Sequence, residues 1–464
     1  MHLPRNFALF LLPVVWRALI GFLIIPLTTN RLEPADFGLF ALVAAFVGIA
    51  TAVSSLGSSQ LLSAHLPIID REDAEGLVST LFISSLLIAS LFSAGSFLIW
   101  PILMQKFPEF GTAPSELKWI IAITISFSAP WSLAAAVATI TGGAKSFATI
   151  TILEASTASG ATLAALYALD LGALSLYIGL AAGAAVSAAS SVIFLRTFFS
   201  VRVRKKWLVE STRVSAISLA GILAERAQVV FERYALSAHV GLSVVGLYSH
   251  GQQYQGLARM GMKAWLNALW PLALEEGRQT QPTFHRFLSV FLVSQLFLGL
   301  VGVAMATLGQ DAIRLLTHDK FTSSHLLASF LLIIVQVEYM ARPALVFLAA
   351  NGRYIDLQKP LVISLVIAML LIFPMTAFFG LFGALVTAFI QSVVYRFLLA
   401  SAAKRLVLLP FVDHMAVVGI FATSASILLT TYAADGFAQR AAVWIGMSTF
   451  LAAVFFILRS WKGY

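Results

Sequence analysis

Long apolar stretches separated by short polar segments dominate the chain. Each stretch is about 18 to 25 residues long and lacks the period-two alternation of a membrane β-strand. Lipid offers no water to backbone groups, so spanning segments of this kind must be helices. The pattern predicts an all-α integral membrane protein with about fourteen transmembrane helices. The predicted spans are residues 7–28, 37–58, 77–99, 119–141, 148–168, 173–195, 213–235, 244–266, 287–308, 326–349, 361–379, 381–399, 413–432 and 440–459.

Composition agrees with lipid as the solvent of this surface. Hydrophobic residues make up 59% of the 464 residues and charged residues 11%, and the mean hydropathy is +0.91. A soluble domain of this composition would expose large apolar areas to water. The first apolar run is too long for a signal-peptide core and carries Arg17, so we expect it to be a retained span. The absence of cysteine excludes disulfides, thiolate metal sites and cysteine nucleophiles.

The distribution of Lys and Arg among the loops predicts the orientation. With the N-terminus inside, 17 of these residues fall on the cytoplasmic side and 6 outside. This is the bias that membrane proteins show, so we expect both termini in the cytoplasm. The net charge of +9 is therefore explained by loops at the cytoplasmic surface, and no nucleic-acid partner is expected. The densest cluster surrounds Trp207, between the sixth and seventh spans, and contains Arg196, Arg202, Arg204, Lys205, Lys206 and Arg213.

Two short matches indicate an internal repeat. Phe37 to Phe40 (FGLF) opens the second span, and Val245 to Tyr248 (VGLY) opens the eighth, 208 residues later. Gly143 follows the fourth span and Gly352 follows the tenth, 209 residues later. Equivalent points are six spans apart, so the halves are parallel repeats, and transporters built this way bind their substrate at the interface of the repeats. We predict an N-lobe at 1–200 (helices 1–6), a C-lobe at 201–405 (helices 7–12) and two C-terminal helices at 406–464.

Several ionisable residues lie inside the predicted spans, where each costs about 2.5 to 3.5 kcal/mol, so they tend to mark functional paths. Arg17 lies midway along the first span, whereas an arginine that only snorkels to the interface suits a helix end. The seventh span carries Glu225 and Arg226, followed at a seven-residue spacing by Glu232 and Arg233. This spacing places each pair of like residues on one side of the helix, which therefore should not face lipid.

The eighth and tenth spans also carry charge. Glu338 and Arg342 are spaced i,i+4, so they either neutralise each other or serve as a gate. The eighth span has a polar stripe that we expect to line a cavity, formed by Gln252, Gln255, Arg259 and Lys263. Snorkelling is the preferred explanation for Lys263 and Arg396. The role of Glu154 in the fifth span stays open.

The predicted spans together carry an excess of positive charge. With residues at the span ends counted as loop residues, seven cations stand against the four carboxylates Glu154, Glu225, Glu232 and Glu338, an excess of three. A cationic interior attracts anions, and the planar guanidinium suits phosphate or carboxylate. We therefore expect a cationic cavity formed by Arg17, Arg226, Arg233, Arg259 and Arg342. The carboxylates Glu225, Glu232 and Glu338 are candidates for ion coupling or gating, and whether a proton or sodium ion is coupled stays open.

The sequence gives no support to an enzyme. It contains neither the Walker A pattern of an ATPase nor the His-Glu-x-x-His arrangement of a zinc protease, and no predicted loop exceeds about 20 residues. A membrane-embedded polymerase or ligase, the enzyme alternative, usually has a large loop outside the membrane, and no loop of that kind is predicted here. We therefore predict no catalytic residues, no cofactor and no metal.

Two segments resemble a known family. Pro26 to Phe40 (PLTTNRLEPADFGLF) resembles the first loop of the polysaccharide (O-antigen type) flippases of the multidrug/oligosaccharidyl-lipid/polysaccharide exporter superfamily. Glu232 to Leu236 (ERYAL), followed by Val244 to Ser249 (VVGLYS), resembles the end of that family's seventh span, with Glu where Asp is more usual. The resemblance extends over the chain in span count, but its specific motifs are confined to these segments.

The resemblance implies two six-helix lobes in a V around a central cationic cavity, plus two C-terminal helices. It also implies an undecaprenyl-diphosphate-linked oligosaccharide as cargo, moved by alternating access from the cytoplasmic to the periplasmic leaflet of the bacterial inner membrane. We expect a monomer whose partners are this cargo and membrane lipids. The pathway, whether lipopolysaccharide O-antigen, capsule or exopolysaccharide, stays open.

Two relatives of the same superfamily are the alternatives. A multidrug antiporter would favour a net-acidic interior and twelve spans. A flippase for the peptidoglycan precursor shares the fourteen spans and the cationic cavity. The motif in the first loop favours polysaccharide cargo.

Overall fold

The computed structural model describes residues 3–55, 58–106, 116–199, 203–277, 285–351, 353–404, 414–434 and 436–461. Within these ranges the chain is helical and contains no β-strand, which confirms the all-α fold class. A short 3₁₀ turn lies at Arg196–Phe198. The α-helices are α1 (Leu3–Arg31), α2 (Pro34–Ser54), α3 (Ser58–His65), α4 (Arg71–Lys106), α5 (Leu117–Ile140), α6 (Ala144–Tyr167), α7 (Leu174–Leu195), α8 (Lys205–His239), α9 (Leu242–Gly277), α10 (His285–Thr317), α11 (Ser324–Met340), α12 (Arg342–Ala350), α13 (Tyr354–Lys404), α14 (His414–Tyr432) and α15 (Phe437–Trp461).

Ten segments of the described chain are long and apolar enough to cross a membrane. The protein is thus a multi-span membrane protein, while the count of fourteen is not confirmed. The difference lies in four places. Helices α6, α8 and α9 are not among the ten, and residues Ile355–Ala403 count as one span although they hold two predicted ones. Small polar residues lower the hydropathy of α6, and amide and charged residues lower that of α9. In α8 the side chains of residues 212–221 lie outside the described part of the chain.

Helix α13 contains a sharp bend at Gly380. This residue has φ 57° and ψ −133°, a left-handed conformation that glycine adopts without strain. Eight residues of straight helix would separate Met375 from Gly383 by about 12 Å. Instead, a Cβ atom on Gly383 would clash with the carbonyl oxygen of Met375. The chain therefore turns at Gly380, between two predicted spans, without an intervening loop.

The chain divides into two compact units, Met1–Arg233 (unit 1) and Tyr234–Tyr464 (unit 2). The boundary lies inside α8. The lobes predicted from the repeat, with boundaries at 200 and 405, stay a prediction.

In unit 1, α6 packs closely against α7, and α1 packs against α6. Two glycines of α7 make this close approach possible. A Cβ on Gly179 would overlap the side chain of Thr162, and one on Gly183 would lie 2.8 Å from Cβ of Ala158 and 3.2 Å from the carbonyl oxygen of Glu154. Small residues let membrane helices approach in this way. The turn of α6 that carries Glu154 is therefore held tightly by α7.

The basic segment before α8 is fixed to unit 1. Arg204 donates to Glu72 (Nη2 to Oε1, 2.7 Å) and to Asp73 at the start of α4. Trp207 is buried, and its ring lies edge-on to His65 at a centroid distance of 5.2 Å. The cations around Trp207 are thus partly neutralised by acids of the same unit. Arg202 and the side chain of Arg213 lie outside the described part of the chain.

In unit 2, α10 packs against α11, α14 and α15. Buried Gln336 donates from Nε2 to Oγ1 of Thr423 at 3.3 Å, and both Gly302 and Gly419 leave room for its amide. Near the helix ends, Arg440 of α15 holds Asp311 of α10 through Nε to Oδ2 (3.0 Å) and Nη2 to Oδ1 (2.6 Å). This bidentate pair joins α15 to α10.

Candidate functional site

An ion pair joins Arg17 to Glu154 in unit 1. Nη2 of Arg17 donates to Oε1 of Glu154 at 2.6 Å. Arg17 is the fifteenth of the 29 residues of α1, and Glu154 is the eleventh of the 24 residues of α6, so both lie near the middle of their helices. The Arg17 side chain is 44% exposed and the Glu154 side chain 21%. The Arg17 side chain is therefore partly open near the middle of α1.

Further polar contacts position α1 against α6. Nε1 of Trp16 donates to Oγ of Ser156 at 3.0 Å. The hydroxyl of Tyr167 donates to the carbonyl oxygen of Leu27 at 2.7 Å. Beyond it, Arg31 pairs with Asp170 at 3.2 Å and lies over the Tyr167 ring at 5.0 Å. The two helices are thus tied together beside the Arg17 pair and again toward their C-terminal ends.

A second pair at mid-helix depth lies in unit 2. Arg259 of α9 binds Glu338 of α11 through Nε to Oε2 (3.2 Å) and Nη2 to Oε1 (2.6 Å). Arg259 is the eighteenth of the 36 residues of α9, and Glu338 is the fifteenth of the 26 residues of the span Ser324–Ala349. Here both carboxylate oxygens are used.

This pair replaces the one expected from i,i+4 spacing. Glu338 does not bind Arg342, because α11 ends at Met340 and α12 begins at Arg342, so the two residues do not share one continuous helix. Arg342 instead lies over the ring of Tyr339, with the guanidinium carbon 5.0 Å from the ring centroid. Of the two alternatives for Glu338 and Arg342, mutual neutralisation does not occur in this structure, and a gate or cavity role for either residue stays a prediction.

The charges of α8 follow α2 within unit 1. Nη1 of Arg233 donates to the carbonyl oxygen of Ala41 at 2.6 Å. Arg226 lies beside Gly48, with Nη1 3.7 Å from the place a Cβ would occupy. The two arginines and their two contacts are each seven residues apart, so α8 runs antiparallel to α2. Glu232 is buried with 6% exposure. Glu225 and Arg226 are exposed and form no ion pair with any described side chain.

The polar stripe of α9 divides between helix packing and open surface. Gln255 is buried, and its Nε2 donates to the carbonyl oxygen of Leu331 at 3.3 Å, so in this structure it joins α9 to α11. Gln252 is half-buried and Lys263 is exposed. His250 is also buried, and its Nδ1 lies 2.7 Å from Oγ of Ser324. Periodicity identified the polar face of α9 but could not tell which members another helix covers.

The sequence did not identify Glu154 as a partner of Arg17. Each is the lone charge in the middle of its own span, and helical periodicity relates only residues of one helix. The sequence did offer one indication of this pairing: a lone cation and a lone carboxylate lie at similar depth in two spans of the predicted N-lobe. No cluster of three or more His, Asp or Glu that could hold an ion occurs among the described residues.

Comparison with known proteins shows which family the chain is similar to. The family model described as polysaccharide biosynthesis protein matches residues 3–275. A comparison with curated protein sequences finds no significant match.

Several solved structures are similar in fold. The lipid II flippase MurJ in its inward closed conformation has a TM-score of 0.74 at 13% identity, over 97% of this chain and 98% of that one. An inward-facing multidrug resistance MATE family transporter of the MOP superfamily has a TM-score of 0.61 at 13% identity, over 90% and 96%. The bent form of the Vibrio cholerae MATE transporter VcmN has 0.53 at 14%, over 91% and 98%. At these identities the likeness concerns the fold.

Proposed function

The chain belongs to the polysaccharide biosynthesis protein family, and on that premise we propose that it is a flippase for an undecaprenyl-diphosphate-linked oligosaccharide. In this proposal the cargo moves from the cytoplasmic to the periplasmic leaflet of a bacterial inner membrane by alternating access. Both termini lie in the cytoplasm, and the chain works as a monomer without a catalytic step.

The observation that carries the proposal is the half-exposed Arg17 in the middle of α1. A cation at this depth is costly, and functional membrane arginines typically face a water-filled path or an anion. The guanidinium fork binds phosphate oxygens in pairs, so it suits the diphosphate of the cargo. The sugar would stay in water and the lipid tail in the bilayer while the arginine neutralises the charge between them.

The other predicted residues have supporting roles in this proposal. Arg226, Arg233, Arg259 and Arg342 extend the positive field that accompanies the diphosphate. Glu225 is exposed, which makes it the more accessible candidate for coupling to a proton or sodium ion, whereas Glu232 is buried and Glu338 is held by Arg259.

A second candidate cargo is the peptidoglycan precursor. The similarity in fold to the lipid II flippase, with a TM-score of 0.74, favours it as the runner-up. Both cargoes carry phosphate between sugar and lipid, so the same arginine serves either one. An organic cation, the cargo class of a multidrug antiporter, would be repelled by an open guanidinium at this site.

The test is lipid flipping in vesicles that contain the purified protein. Fluorescent undecaprenyl-diphosphate oligosaccharide and fluorescent lipid II are offered separately to the wild type and to the Arg17→Ala and Arg314→Ala variants. Arg314 is the matched control, because it is an arginine in an exposed ion pair with Asp319 (Nε to Oδ1, 2.8 Å) near the end of α10.

We expect the wild type to flip the oligosaccharide cargo and Arg17→Ala to lower the rate at least about tenfold, the effect of losing roughly 1.4 kcal/mol of binding. Arg314→Ala should stay within about twofold, as expected of an exposed pair. Preference for lipid II would select the runner-up. Export of an organic cation by a wild type that flips neither lipid would overturn the proposal.

A further inference from the structure

Only one of the two carboxylate oxygens of Glu154 accepts a hydrogen bond from a described residue. Oε1 accepts from Arg17 at 2.6 Å, while Oε2 is buried and has no hydrogen-bond partner among the described residues. Buried carboxylate oxygens are normally satisfied, and an unsatisfied one raises the free energy of the state that contains it. In the second mid-helix pair, by contrast, both oxygens of Glu338 accept from Arg259. The Arg17 pair is therefore incompletely bonded in a way that its counterpart is not.

Arg17 is incompletely used as well. Its contact with Glu154 runs through Nη2, and its side chain is 44% exposed. A guanidinium has five N–H donors, so donors stay open to a further anion. The helices do not depend on this contact alone, since Trp16 bonds Ser156 and Tyr167 bonds the Leu27 carbonyl. The pair can thus open while α1 and α6 stay in contact.

We propose that Glu154 is the resting counter-ion of Arg17 and that an anion of the diphosphate class binds by displacing its carboxylate. The inference rests on the proposed function in that the natural anion is the cargo diphosphate. A diphosphate carries more charge than a carboxylate and can occupy two donors of the fork at once, so it competes well for Arg17. Once the cargo leaves, Glu154 neutralises the arginine again, which lowers the cost of keeping an empty cationic site in the membrane.

The competing explanation is a tie between α1 and α6 with no role in binding. The two explanations differ in what removal of the Glu154 charge does. If Glu154 competes with the anion for Arg17, removing its charge should raise the affinity for the anion. If Glu154 only ties α1 to α6, removing its charge should leave that affinity unchanged or lower it. Glutamine has nearly the shape of glutamate and keeps an oxygen that accepts from Arg17, so Glu154→Gln isolates the charge.

The probe is inorganic pyrophosphate, whose binding to purified protein in nanodiscs is measured by calorimetry. Asp170→Asn is the matched control, because Asp170 pairs with Arg31 between the same two helices at their exposed ends. Its left-handed backbone, with φ 51°, is one that asparagine tolerates. The double variant Arg17→Ala/Glu154→Gln tests whether any gain depends on Arg17.

We expect Glu154→Gln to tighten pyrophosphate binding about tenfold, Asp170→Asn to change it less than twofold, and the double variant to lose the gain. Glu154→Asp, which withdraws the carboxylate by one methylene but keeps its charge, should tighten binding less than Glu154→Gln. It also serves as the second variant if Glu154→Gln folds poorly. Affinity within twofold of the wild type in Glu154→Gln, or no binding by either protein, overturns the inference.

The flipping assay separates this result from the proposed function. Tighter pyrophosphate binding in Glu154→Gln together with no lipid flipping by the wild type would keep the anion site and overturn the lipid-linked cargo. Flipping by the wild type together with unchanged affinity in Glu154→Gln would keep the cargo and overturn the role of Glu154. If both the lipid-linked cargo and the role of Glu154 are correct, the Glu154→Gln variant should bind the cargo more tightly and therefore release it more slowly.

Discussion

Two arginine–carboxylate pairs between helices, Arg17–Glu154 in unit 1 and Arg440–Asp311 in unit 2, share their chemistry and differ in construction. Arg440 is 11% exposed and holds both oxygens of Asp311 at 2.6 and 3.0 Å. Arg17 is 44% exposed and holds one oxygen of Glu154. The Arg440–Asp311 pair lies near helix ends and uses two guanidinium nitrogens, so it fastens α15 to α10. The Arg17–Glu154 pair lies at mid-helix and uses one nitrogen and one carboxylate oxygen, which is the construction expected of a site that exchanges partners.

Exchanging the two partners of each pair is the change with the largest expected effect. Arg17→Glu/Glu154→Arg keeps an ion pair but moves the cation from α1 to α6, so we expect flipping to stay at least about tenfold below the wild type. Arg440→Asp/Asp311→Arg should fold and flip at near wild-type rates, because that pair acts only through its bond. Full flipping by the first exchange would remove the distinction between the pairs.

Neutralising the carboxylate should destabilise the protein more at Asp311 than at Glu154, although the effect on flipping is larger at the Arg17–Glu154 pair. Asp311→Asn replaces one acceptor of a bidentate pair by an amide that faces N–H donors, with an expected loss of about 1.5 to 3 kcal/mol. Glu154→Gln keeps the one acceptor that Arg17 uses, so we expect a smaller loss. The melting temperatures of the purified variants measure this difference, which should amount to a few degrees. A larger drop for Glu154→Gln would mean that the Arg17 pair is a structural tie.

The smallest effect is expected at the contact beside Arg17. Trp16→Phe removes the 3.0 Å bond to Ser156 but keeps an aromatic ring, and polar bonds between membrane helices contribute about 0.6 kcal/mol on average. Flipping in the vesicle assay should stay within about twofold of the wild type. A loss as large as that of Arg17→Ala would show that the position of α1, more than the charge of Arg17, limits the rate.

The sequence predicted those features that depend on one helix at a time. Apolar length identified the all-α membrane fold, and the position of Arg17 in its span matches the middle of α1. The count of fourteen spans was not confirmed, because polar helices such as α6 and α9 are less apolar than the other spans, and part of α8 lies outside the described side chains.

Partners between helices could not be predicted. Glu154 binds Arg17 of α1 at a turn where α6 packs closely on the glycines of α7, and Glu338 binds Arg259 of α9 and not Arg342. Such contacts depend on packing, which a periodic pattern within one helix does not encode.

The bend at Gly380 decides how the chain tolerates changes in length. Connections between spans usually absorb insertions and deletions, and reporter tags or epitopes are placed there for that reason. Here Gly380 alone connects the two helical segments of α13. An inserted residue cannot be taken up by a loop, so it must shift one of these segments along the membrane. Tags and epitopes in unit 2 should therefore be inserted at positions other than Gly380.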